Sequence, residues 1–159
     1  MRKLISACAV CVTAVAVVAV PSALGVKSAK QVGGTVSVGV TPTTIDATTT
    51  VVTASGNVAS NSTCKKGRTV HFAYVNGTTV GPEVGMTTTG SSGKYSVDLP
   101  KPTDTNPPTA SVVLRATVDQ VTRKVGSKKK GQKTKKGRRF DCLQLIGDSG
   151  PIAIAPAVP

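Results

Sequence analysis

Tryptophan is absent from this chain, and two phenylalanines and two tyrosines are its whole aromatic content in 159 residues. A core short of rings has to be assembled from Val, Leu, Ala and Ile, and such a core is modest in a small domain. Acidic residues are scarce too: seven Asp and Glu stand against twenty Lys and Arg, with a single histidine. General acid and base catalysis needs paired titratable groups. His71 has no nucleophile motif near it, and Ser91 and Ser92 lie in a turn without the glycine context of a serine nucleophile. The carboxylates Asp46, Glu83, Asp98, Asp104, Asp119, Asp141 and Asp148 show no calcium-loop spacing. One His and two cysteines cannot complete a zinc site, and no glycine-rich phosphate-binding motif follows a strand pattern. The expectation is a protein that is not an enzyme, with no catalytic residues, no metal and no small-molecule cofactor.

What is present begins with a leader. Met1-Arg2-Lys3 is basic, Leu4 to Val20 is an uncharged apolar run, and Pro21 to Gly25 supplies small residues at a cleavage site. This is the layout of a signal peptide, a helix removed by cutting near Gly25; a membrane anchor would need a run longer than these roughly 17 residues. The mature chain of about 134 residues suits one domain. Cleavage also removes Cys8 and Cys11 and leaves Cys64 and Cys142. In an exported protein two cysteines read as one disulfide, and the other reading is two free buried thiols.

After the leader no segment carries the 3.6-residue apolar period of a helix, and short alternating runs recur between Gly, Pro and Asn turns. Residues 26–46 form an extended lead-in, in which Thr35 to Val40 alternates as an edge strand also would. Thr48 to Ala59 is β-branched almost throughout and reads as a strand bent at Gly56. Thr69 to Val75 places Val70, Phe72 and Tyr74 on a core face, and Asn76-Gly77 signals a tight turn. Val84 to Thr89 and Lys94 to Leu99 read as a second hairpin with Tyr95, Val97 and Leu99 inward. Ala110 to Val125 is the longest strand expected, with Val112, Leu114, Ala116 and Val118 inward, and Phe140 to Ile146 is the last. Residues 150–159 are broken by Pro151, Pro156 and Pro159 and read as an extended tail. The fold class expected is all-β, a single antiparallel β-sandwich of about seven strands over residues 47–149.

Gly56-Asn57-Val58-Ala59-Ser60, Cys64, the run Gly67 to Phe72, the run Thr87 to Val97 and Cys142, taken in that order, resemble secreted actinobacterial β-sandwich domains. These are similar to the carboxypeptidase regulatory-like, prealbumin-like modules. The resemblance covers about residues 48–149 and implies an Ig-like or prealbumin-like fold with an extracellular accessory or interaction role. It implies no catalytic residue, and Gly90, Ser91 and Ser92 replace the acidic residues such modules usually carry at the second hairpin.

One feature departs from background. Residues 123–139, RKVGSKKKGQKTKKGRR, hold ten basic residues and no acidic one. Without Arg2 and Lys3 the formal +13 falls to +11, so this loop carries nearly all of the mature chain's net charge. Lys128, Lys129, Lys130, Lys133, Lys135, Lys136, Arg138 and Arg139 are the candidate polyanion-binding residues, for teichoic acid, acidic polysaccharide, anionic lipid headgroups or nucleic acid. With no aromatic in the run, base stacking has no support. The competing reading is a solvated basic loop that keeps a sheet edge from aggregating. The partner expected is an envelope or extracellular one of unknown identity.

Overall fold

The computed structural model describes residues 28–102, 111–126 and 137–155. The leader and the six lysines from Lys128 to Lys136 lie outside the described residues. Those described are all-β, with twelve strands: β1 (Lys30–Val32), β2 (Thr35–Thr41), β3 (Thr44–Ile45), β4 (Val51–Ala59), β5 (Thr69–Asn76), β6 (Thr79–Thr88), β7 (Lys94–Pro100), β8 (Ser111–Val118), β9 (Val121–Val125), β10 (Arg138–Cys142), β11 (Leu145–Asp148) and β12 (Ile152–Ile154).

Three sheets result. One has the order β2-β4-β7, another runs β3-β12-β8-β5-β6 with β11 also on β8, and a third is β1-β10-β9. The first two enclose a common core that draws Val52, Ala54, Val58, Tyr95 and Leu99 from one side. The other side supplies Val70, Phe72, Tyr74, Val112, Leu114, Ala116 and Val118. These are the inward sets that strict alternation selects, since a period of two sends every second side chain to one face. Phe72 and Tyr95 meet across the gap with ring centroids 5.7 Å apart, within the range of favourable tilted pairs. The tyrosine hydroxyls keep their polarity satisfied by donating to backbone, Tyr95 to the Ser37 carbonyl at 2.7 Å and Tyr74 to that of Pro100 at 2.9 Å. Gly56 makes the first of these possible, because a Cβ there would lie 2.5 Å from the Tyr95 hydroxyl and 1.9 Å from the Ser37 carbonyl oxygen. The expected turn after β5 closes with Gly77 at φ 58°, a backbone state that costs glycine little.

The departures from expectation are of two kinds, segments that change sheets along their length and end segments that add strands. The described residues hold twelve strands rather than about seven, and the arrangement is not purely antiparallel: β1 runs parallel to β10 and β12 parallel to β3. The second hairpin is not one. β6 pairs with β5 while β7 crosses to the other sheet and pairs with β4, so Gly90 to Gly93 bridge two layers. The long strand from Ala110 to Val125 breaks after Val118, β8 staying in the large sheet and β9 joining the small one. Phe140 to Ile146 breaks likewise, between β10 and β11. The segment read as a lead-in contributes β1, β2 and β3, and the tail contributes β12, whose Ile152 is buried beside Val112. Alternation reports which face is apolar but not which neighbour a strand chooses, so these exchanges left no trace in the pattern.

Candidate functional site

The places where strands change sheets converge on one end of the molecule, around the loop from Ser60 to Gly67. Asn61 shapes this loop: its side-chain carbonyl accepts from the amides of Thr63 and Cys64 at 3.1 and 2.8 Å, an Asx-type turn. Cys64 is then bonded to Cys142, with Cα atoms 5.4 Å apart and both sulfurs fully buried. The expected disulfide therefore ties the loop to β10, across 78 residues of sequence.

Beneath the disulfide lies Arg68, only 2% exposed. Its guanidinium donates from Nη1 to the Cys64 carbonyl at 3.0 Å, from Nη2 to the Leu143 carbonyl at 2.8 Å, and from Nε to the Asp119 carbonyl at 2.9 Å, which Nη2 also contacts. Asp119 follows β8 and Leu143 follows β10. Each carbonyl thus belongs to a point where the chain leaves one sheet for another, and where the ladder cannot satisfy it. A planar fork with five donors suits this task. Burial lowers the guanidinium's hold on its proton, neighbouring Arg123 lowers it further, and Asp119 opposes both. Buried Thr89 completes the joint by accepting from the Arg68 amide and donating to the Lys65 carbonyl, each at 2.8 Å.

Sequence reasoning did not single out Arg68. The signal was present, because position 68 is in phase with Val70, Phe72 and Tyr74 and so points to the core face. An arginine in that phase announces a buried cation needing several acceptors. Thr89 had no comparable signature.

Of the candidate polyanion-binding residues, Arg138 and Arg139 are described. They open β10, exposed, opposite Val125 and Lys124 of β9. Lys128, Lys129, Lys130, Lys133, Lys135 and Lys136 fall outside the described residues. Among the described residues no carboxylate pairs with Lys124, Arg138 or Arg139; the ion pairs join His71 to Glu83 and Asp119, and Arg115 to Asp148. Arg123 behaves differently from its neighbours in the basic run. Its Nη2 donates to the carbonyls of Lys66 and Gly67, both at 2.7 Å, so it anchors β9 to the Cys64 loop.

His71 faces outward from β5, between Glu83 of β6 at 2.9 Å and Asp119 at 3.1 Å. With both ring nitrogens directed at carboxylates, the imidazolium is favoured, and its pKa is raised chiefly by Asp119 and further by Glu83, against partial burial. Neither nitrogen is left to activate a hydroxyl in this arrangement. In the middle of β8, Arg115 stands opposite Asp148 of β11, holds it through two 2.8 Å hydrogen bonds and keeps that carboxyl below its ordinary value. Among the described residues no cluster of His, Cys, Asp and Glu has the arrangement of a metal site.

No family model, no curated protein and no solved structure matches the chain.

Proposed function

We propose that this is a secreted, non-enzymatic module of the cell envelope or extracellular space, an Ig-like or prealbumin-like sandwich that works by binding or by structural support. Export would proceed through the leader, with cleavage near Gly25. The observation that carries the reading is the fully buried bond between Cys64 and Cys142. A disulfide closing a long loop persists in an oxidising compartment and stabilises a small domain by up to about 4.5 kcal/mol. The test is to recover the protein from the culture medium and determine its first residue and its mass. A chain beginning near Val26, lighter by two hydrogens than its reduced form, supports the reading. Retention in the cytoplasm with free thiols refutes it.

A second reading, polyanion binding through the Lys/Arg-rich loop, is favoured by a separate observation: Lys124, Arg138 and Arg139 stand exposed on paired strands at the foot of that loop. Such a concentration of one sign attracts polyanions by counterion release, with affinity falling as salt rises. Retention on a heparin column, compared with a variant in which Lys128, Lys129, Lys130, Lys133, Lys135 and Lys136 are changed to Ser, tests it; equal elution ends it.

A further inference from the structure

Between the Cys64 loop and the free edge of β9 runs an open groove of about 700 Å³. Ser62, Thr63 and Lys66 line one wall, and Val121 to Gly126 line the other. Since β9 is the outer strand of its sheet, one side of its backbone has no strand partner among the described residues. The walls come from segments far apart in sequence. The disulfide and the hydrogen bonds from Arg123 to Lys66 and Gly67 hold them together, so the groove does not have to be assembled when a ligand arrives.

Its charge is of one sign. Lys66, Arg123 and Lys124 line it and no carboxylate does. The nearest acid on the adjoining strand, Asp141, already accepts the Thr122 hydroxyl at 2.7 Å. Arg123 Nε is buried and has no hydrogen-bond partner among the described residues, which is costly for a charged donor. Behind it Arg68 adds a second guanidinium, and the two repel, as the effect of Arg123 on Arg68 records. One guanidinium, two ammonium groups and the hydroxyls of Ser62 and Thr63 thus line the groove, and among the described residues no carboxylate does.

We propose that this groove is a binding subsite for a tetrahedral oxyanion, a phosphate or sulfate group. Lys66 and Lys124 would attract it, the Ser62 and Thr63 hydroxyls would donate to it, and the Arg123 guanidinium in the groove wall would add its charge. Guanidinium and ammonium donors make their strongest hydrogen bonds to such oxygens. The inference deepens the polyanion reading and rests on it, but it places a defined contact on the folded body, apart from Lys128 to Lys136.

The test uses isotope-labelled, oxidised protein titrated with inorganic phosphate and followed by NMR. The Arg123 Nε–Hε signal and the amides of Lys66 and Lys124 are expected to shift saturably. Lys66→Gln combined with Lys124→Gln, both exposed positions that leave the fold intact by amide dispersion, should weaken the response about tenfold, while Lys101→Gln leaves it unchanged. No shift at Arg123, or equal affinity in the double variant, overturns the subsite. A heparin column separates the two ideas and shows whether the group is also taken from a sulfated polymer. Earlier elution of the groove variant supports the subsite. Earlier elution of the six-lysine loop variant alone, with the groove variant eluting as the unmodified protein, removes the subsite and keeps the polyanion reading. Unchanged elution of both variants removes both.

Discussion

Around Phe72 and Tyr95 the two main sheets meet through largely apolar side chains, whereas two repeats of the strand pattern before Phe72, at position 68, the same inward face carries a guanidinium. The first region is held by area removed from water and close packing. The second is held by one disulfide and one cation shared among carbonyls that no ladder satisfies. The contrast teaches that a sheet protein can afford strands that exchange layers only where something else takes up the freed backbone groups. Here Arg68 does so at two of the exchange points, Asp119 and Leu143, and so helps to join the small cationic sheet β1-β10-β9 to the sandwich.

The comparison is sharpened by substitutions on either side of it. In the apolar centre, Phe72→Ala removes a fully buried ring, and chemical denaturation should show a loss of about 3–5 kcal/mol. At the disulfide end, changing Cys64 and Cys142 to Ser should cost about 2–4 kcal/mol, measured the same way. Arg68→Met keeps much of the volume but abandons three carbonyls. We expect a loss of about 2–3 kcal/mol, with the damage greatest in β9 and β10. If Arg68→Met were neutral, the joint would be attributable to the sulfurs alone.

The smallest effect belongs to His71. Its pKa in the folded protein is raised above the ordinary 6.5, so the stability it contributes is fully present below the unfolded value and is lost as pH rises through the folded one. The thermal midpoint should therefore decline on going upward from about pH 6.5, relative to His71→Gln, in which that slope should vanish. The group is partly exposed, and the difference should stay below about 1 kcal/mol.

Much of the centre was legible beforehand. Val70, Phe72 and Tyr74, and Val112 through Val118 at every second position, alternate cleanly and are buried as that alternation requires. The pairing of Cys64 with Cys142 was legible from cysteine arithmetic once Cys8 and Cys11 were assigned to a leader. Less could be read of the strand exchanges. Nothing in an alternating run from Ala110 to Val125 marks the point at which its partner changes, and the group that takes up the carbonyl freed there, Arg68, lies 51 residues away. The proline-broken tail misled for a related reason: β11 ends at Asp148, and directly after Pro151 the chain enters the sheet again as β12 at Ile152. Arg123 was legible as charge but not as an anchor, since its partners are backbone carbonyls of a distant loop.

The most direct test of the joint is amide hydrogen exchange on the oxidised protein and on Arg68→Met, read residue by residue. The account predicts that protection falls selectively in β9, β10 and the Cys64 loop while the amides of Phe72, Leu114 and Ala116 keep theirs relative to global stability. A loss spread evenly over both regions, or unchanged protection in β9 and β10, would contradict it.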